Sequence, residues 1–261
     1  MNPALWVAKT GLDAQQMRLN VVANNLANVN TTGFKRDQAV FEDLIYQNIR
    51  QVGAQSAQDA ALPSGLSIGT GVRPVATEKL FTQGNIAITG NNMDLAIQGR
   101  GFFQILQSDG SIGYTRDGTF QVNSDGQVVT SSGAALQPNI TIPANTQSVT
   151  VAPDGTVSAQ LANSATPTQI GSIQLADFIN PVGLQAIGQN LYRESGSSGT
   201  PQIGAPGSNG IGSLIQGSLE TSNVNVVEEL VSMIETQRAY EMNSKAISAA
   251  DEMMRFVSNN L

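Results

Sequence analysis

The sequence predicts an α+β fold. Discontinuous N- and C-terminal coiled-coil helices flank an inserted, mostly antiparallel β domain, with an extended linker arm after the first helix. Three observations predict it. Leucines recur every seven residues near the N-terminus, at Leu5, Leu12, Leu19 and Leu26. A second column of the same period, Leu219, Val226, Met233, Tyr240, Ile247, Met254 and Leu261, runs to the C-terminus. Between them, Asp-Gly pairs at 109–110, 117–118 and 125–126 separate short alternating runs, a strong local hairpin signal.

The N-terminal element covers residues 1–36. Ala8, Val22 and Val29 fill the alternate seam positions and Gln15 interrupts them, giving the 3,4 spacing of a coiled coil. A helix over 4–30 spans roughly 40 Å, with Gly11 as its weak point. It ends in NNLANVNTTGFKR, residues 24–36. Leu26 and Val29 continue the seam, so the amides fall on other faces, and Asn24 and Asn28, four apart, share one. An amide offers donors and acceptors without net charge, which suits a face that meets a copy of itself. Asn also suits a helix exit, where Gly33 is predicted to be the left-handed cap. On the residues alone, both the interface and simple termination stand.

Residues 37–71 form the predicted arm. AVFEDLIYQNI suits either a short helix or a strand, and RQVGAQSAQDAALPSGLSIGTG is polar and punctuated, hence extended or irregular. Unstructured stretches of this length are usually functional or disordered. Pro63, Gly65, Gly69 and Gly71 are placed to set its turns.

Residues 72–218 form the β domain. SIGYTR and TFQVNS lie between the Asp-Gly turns, and PDGTVSAQL repeats the hairpin pattern. NNMDLAIQGRGFFQIL reads as two strands broken at Gly99-Arg100-Gly101, and a Gly/Ser/Pro-rich stretch, 195–213, leads out. Residues 219–261 form the C-terminal helix. Ser222 or Asn223 caps it, Glu228 and Glu229 suit its early turns, and Val227, Leu230, Ile234, Ala246 and Met253 widen its apolar column.

Charge separates the two ends. Residues 1–36 carry Lys9, Arg18, Lys35 and Arg36 against Asp13, a net of +3. Residues 219–261 carry seven acidic against three basic side chains, a net of −4. Two helices of this kind either pack on a globular core or, lacking enough partners in one chain, seek them in other copies.

Composition removes whole classes of chemistry. The 261 residues include no Cys and no His, so the commonest metal ligands, the thiol nucleophile and the usual general base are missing. The net charge of −7 argues against a nucleic-acid partner. No stretch approaches the roughly 18 apolar residues of a membrane span, and the N-terminus lacks the apolar core and cleavage site of a signal peptide. The reading is a soluble chain, cytoplasmic or exported without a cleaved signal and not inserted in a membrane. Pieces such as GTG (69–71) and GSNGIG (207–212) do not follow a strand and open a helix, so no dinucleotide site is expected. The Asp-Gly turns lack the spacing of a calcium loop. No cofactor, metal or catalytic residue is expected. A β-domain enzyme or carbohydrate-binding module with helical appendages is the alternative from another class.

LWVAKTGLDAQQ, NNLANVNTTGFKR, LAIQGRGFFQI and ETSNVNVVEELVSMIETQRAYEMNSKAI closely resemble the rod, hook and hook-basal-body proteins of the bacterial flagellum. The family motifs map here onto Asn24, Asn25, Asn28, Thr32, Gly33 and Phe34, and onto Gln237, Arg238, Tyr240 and Asn243. The stretch 41–74 and the length are most similar to the distal-rod branch of that family, with a proximal rod or hook-related protein as the alternative. The resemblance implies a structural subunit of a hollow helical rod that carries torque to the hook. Its helices form an inner layer, with Leu5, Leu12, Leu19, Leu26, Val226, Met233, Tyr240, Ile247 and Met254 at the shared core, and the β domain lies outside. Implied partners are further copies, proximal rod proteins, the hook protein, the surrounding ring bushing proteins and the flagellar type III export apparatus. The implied location is the periplasm-crossing rod of the basal body. FEDLI resembles the Phe-x-x-x-hydrophobic element that engages the export gate, which would assign Phe41 and Ile45; packing of Phe41 against the core is the other reading.

Overall fold

The structure is a computed structural model describing residues 3–51, 55–57, 60–61, 64–162 and 166–259. The fold is α+β: helix α1 (Pro3–Ala27) and helix α2 (Val226–Asn259) enclose in sequence a large, mostly antiparallel β region. The chain divides into two compact units. One gathers α1, the strands between residues 37 and 78, and α2; the other comprises residues 28–36 and 79–224.

In the helical unit, α1 and α2 pair antiparallel. An added Cβ on Gly11 would lie 3.2 Å from Asn243 Nδ2, and Asn25 Nδ2 donates to Glu229 Oε1 at 3.3 Å. Fourteen residues forward on α1 thus match fourteen back on α2, two heptads in one register. Both helices are shorter than their apolar columns. α1 stops at Ala27, so Gly33, although left-handed with φ +66°, is not its cap. Leu219 lies in strand Ser218–Glu220, and α2 begins only at Val226. Its cap is Asn225, whose Oδ1 accepts from Val227 N at 3.1 Å, in place of Ser222 or Asn223.

The arm is a chain of two-stranded segments. Asp37–Asp43 pairs with Val72–Lys79, Gln47–Arg50 pairs antiparallel with Leu66–Ile68, and Gln55–Ala57 pairs with Ala60–Ala61. Isolated strand pairs of this kind bury little, and Ile45, Tyr46, Ile49 and Leu66 are exposed.

The β unit holds the main core. A nine-stranded sheet is centred on Phe102–Leu106, which pairs with Ile112–Thr115, Ala135–Gln137 and Leu175–Asp177. Leu95, Ile97, Phe103, Ile105, Phe120 and Leu136 bury their side chains together, contributing about 1.5–3 kcal/mol each. Phe102, Tyr114, Phe178 and Tyr192 form a second cluster, with Phe102 and Tyr114 each edge-to-face with Phe178. Asp109-Gly110, Asp125-Gly126 and Asp154-Gly155 close antiparallel hairpins. Asp117-Gly118 does not: Ile112–Thr115 and Phe120–Val122 are not neighbours in the sheet. Asp117 instead accepts from Thr119 N, Thr119 Oγ1 and Thr32 Oγ1. The segment there receives residue 32 instead.

Candidate functional site: the helical faces and the roots of the helices

The helix pair fully buries few side chains and leaves most of its apolar seam half-covered. On α2 the protected positions are Glu229, Ser232, Met233, Thr236, Ala239, Asn243, Ile247 and Ala250; on α1, Ala14, Val22 and Asn25 are buried. Leu5, Leu12, Leu19 and Leu26 are half-buried, as are Met233 and Ile247. Val226, Tyr240 and Met254 of the same column are exposed.

The opposite face of α2 carries the large apolar groups. Val227, Val231, Ile234, Met242, Met253 and Phe256 lie on one stripe with Arg238, Lys245 and Ala249, at spacings of three and four that follow the 3.6-residue turn. Val227 is 70% exposed, Met242 and Met253 65% and Phe256 71%. A seven-residue count passes over Val231, Met242 and Phe256; a count at 3.6 finds them.

The Asn-rich stretch is divided between the units. Asn25 is buried in the helical unit, where its amide accepts from Asp37 N at 2.9 Å and donates to Asp37 O and Glu229. Asn24 is exposed and reaches Asp37 Oδ2 at 3.4 Å. Asn28 lies beyond α1, so it shares no helical face with Asn24, and its Oδ1 accepts from Thr31 Oγ1. On α2, Gln237, Arg238 and Tyr240 are exposed, whereas Asn243 is half-buried beside Gly11.

Residues 32–36 belong to the β unit. Thr32 Oγ1 donates to Asp117 Oδ1 at 3.0 Å, and Thr32 O accepts from Asn190 Nδ2. Gly33 N donates to Glu220 O at 2.8 Å. A Cβ on Gly33 would fall 2.6 Å from Asp117 N, so only glycine fits. The Lys79 ammonium lies over the buried Phe34 ring. Lys35 is fully buried: its Nζ donates to Glu220 Oε1 at 2.6 Å and Thr82 O at 2.8 Å. Arg116 Nη1 meets the other Glu220 oxygen at 3.4 Å, and its guanidinium lies 5.2 Å from the Phe102 ring centre. Burial pushes both cations below their ordinary pKa values, and the Glu220 carboxylate opposes it. Breaking such a buried pair costs about 3–5 kcal/mol. Neither Lys35, Glu220 nor Arg116 stands out in the sequence, because each alone resembles a surface charge.

The arm is pinned near its root within the helical unit. Leu44 N donates to Gly71 O, Thr70 Oγ1 donates to Ile45 O, and Arg73 pairs with Glu42 at 2.9 Å. Gly71 has φ +113°, and a side chain there would run into Thr10 Oγ1 of α1. Gly69 is half-buried against Tyr46 and Gly65 is exposed. Pro63 lies outside the described residues. Phe41 is half-buried and Ile45 is 87% exposed.

Among the described residues, no group of three acidic, His or Cys side chains could hold a metal, and no helix is long and apolar enough to cross a membrane. Terminal helices of which α2 exposes a large apolar stripe, with a β unit inserted between them in sequence, define a structural subunit built for assembly.

The comparisons identify which one. Residues 5–35 match the flagella basal body rod protein family, residues 96–159 the D1 domain of the FlgE/F/G flagellar hook protein family, and residues 215–261 the C-terminal region of FlgEFG basal body rod proteins. The flagellar basal-body rod protein FlgG of Buchnera aphidicola subsp. Acyrthosiphon pisum is 54% identical, over 99% of both chains. That of Agrobacterium fabrum is 48% identical, again over 99% of both. That of Borreliella burgdorferi is 46% identical, over 100% of this chain and 99% of its own. The chain belongs to the flagellar basal-body rod protein family. It is a structural protein of the bacterial flagellum and not an enzyme.

Proposed function

We propose that the chain polymerises into the hollow, helical distal rod of the flagellar basal body and transmits torque to the hook. The observation that carries this reading is the outward apolar stripe of α2, Val227 to Phe256, together with a leucine seam on α1 that α2 leaves only half-covered. Exposed apolar surface of this extent is a docking surface, and a helix stripe docks on another helix. In this reading Leu5, Leu12, Leu19, Leu26, Met233 and Ile247 complete the shared helical core as copies close around them. Terminal helices of many copies share one layer of a rod that crosses the periplasm.

The proximal rod proteins, the hook protein, the surrounding rings and the type III export apparatus are the neighbours this role requires. Ile45, 87% exposed, suits an element read by an export gate better than a core residue does; Phe41, half-buried beside it, would have to be released. The arm, with its exposed Tyr46, Ile49 and Leu66, is read as a strut that bears on an adjacent copy and limits sliding.

The test is assembly of an Ile234→Ser/Met253→Ser variant, followed by sedimentation and electron microscopy. The expected result is loss of polymer with an unchanged melting transition of the β unit. Normal polymerisation of that variant would overturn the reading.

A further inference from the structure

We propose that residues 28–36 are a latch of the β unit, bolted by the Lys35–Glu220–Arg116 cluster, that stays shut whether or not α1 and α2 are packed. The latch ties together the two chain segments from which the helices grow. Lys35 lies eight residues after the end of α1 and Glu220 six before the start of α2, and their side chains meet at 2.6 Å with no solvent exposure.

Contact density supports the latch as a unit. Each residue from Thr32 to Arg36 is engaged within the β unit: Thr32 by Asp117 and Asn190, Gly33 by Glu220 O, Phe34 by Lys79, and Lys35 by Glu220 and Thr82. Arg36 N donates to Asn223 Oδ1 at 2.7 Å, and Leu80 N donates to Arg36 O. The C-terminal root is held in the same way. Gly84 N donates to Glu220 Oε1, Thr221 N to Asn85 O, and Asn223 Nδ2 to Leu80 O. None of these bonds uses a residue of α1 or α2. By contrast, among the described residues of the two helices only Ala14 and Val22 are fully buried apolar side chains, so the order of the pair depends far more on what covers it.

The latch has a consequence for assembly. While it is shut, four residues, 28–31, separate α1 from the first anchored position of the β unit. When the pairing of Asp37–Asp43 with Val72–Lys79 opens with it, the next residue of that unit along the chain is Lys79, and the tether grows to about fifty residues. Effective concentration falls roughly as the −3/2 power of tether length, more than about tenfold here. The latch therefore keeps α1 within reach of α2 before any other copy supplies a partner.

Amide hydrogen exchange on the full-length chain, verified as monomer by light scattering, tests this directly. Gly33 and Arg36 should exchange within tenfold of Phe103 and Ile105 in the central strand. Leu19→Pro, which breaks α1, should leave both protected within threefold. Lys35→Met should speed both at least tenfold while Phe103 and Ile105 change less than threefold. Thr32→Val removes the bond to Asp117 outside the ion cluster and should speed Gly33 at least threefold, so the test stands if Lys35→Met fails to fold. Four results would overturn the latch: Gly33 and Arg36 exchanging at the rate of α1 in wild type, loss of their protection in Leu19→Pro, no change in both Lys35→Met and Thr32→Val, or equal loss throughout the sheet in Lys35→Met.

Discussion

Gly33 and Gly71 are two of the places where a single Cβ would displace a neighbouring group. At Gly33 the backbone is left-handed and the space is taken by Asp117 N and the Arg116 carbonyl carbon. Gly33→Ala should therefore cost more than about 1 kcal/mol and lower the β unit's melting temperature by about 2–4 °C for each kcal/mol. Calorimetry checks this, and an unchanged transition would contradict the packing. Gly71→Ala meets Thr10 Oγ1 in addition to a left-handed φ. Thr10→Ala should restore part of the lost stability, because it removes the collision and leaves the backbone strain. Protease cleavage between residues 43 and 73, compared in the two single variants and the double, measures that rescue. The sequence marked both glycines but misplaced the reason for Gly33. A left-handed glycine near a helix end suggests a cap, whereas the constraint comes from residues 116 and 117, some eighty positions away.

At the scale of elements, local chemistry is legible and long-range pairing is not. The Asp-Gly turns at 109–110, 125–126 and 154–155 were readable because each hairpin is closed by its own residues. The turn at 117–118 misled because the same dipeptide there serves a bond to Thr32. The hairpin turns also carry a pH dependence. Asp109 is held below the ordinary carboxylate range first by the Ser111 hydroxyl and then by Ser111 N, and Asp154 first by Thr156 N and then by the Thr156 hydroxyl. The unfolded chain thus binds protons first, so this stabilisation is complete above the unfolded value of about 3.9 and fades as pH falls through the folded one. Ser111→Ala should raise the Asp109 titration midpoint toward its ordinary value in an NMR titration; no movement would refute the cause given. For α2, the heptad column is split, with Met233 and Ile247 half-buried and Val226, Tyr240 and Met254 exposed, and the outward stripe follows the 3.6-residue turn.

For the whole molecule, the plan of terminal helices around an inserted β region was legible from periodicity and Asp-Gly spacing. The division of the chain was not, since residues 28–36 join the β unit through Lys35, Glu220 and Arg116, and no local pattern announces a buried ion cluster. The arm, which returns in strand Val72–Lys79, supports a prediction at this scale. Deleting residues 50–68 removes the far strand pairs but keeps the Gly71–Thr10 packing and the Arg73–Glu42 pair. The β unit should melt as before, while assembled rods should be more curved or fail to form, as measured by electron microscopy against wild type. Straight rods of unchanged stiffness would reduce the arm to a linker. The central claim is that terminal helices of different copies bury the apolar stripe of α2 in one another. An electron cryomicroscopy reconstruction of the assembled rod at side-chain resolution tests it most directly. Val227, Ile234, Met242 and Met253 should be enclosed by helices from other copies; a rod held together through its β units alone, with that stripe facing solvent, would contradict this burial.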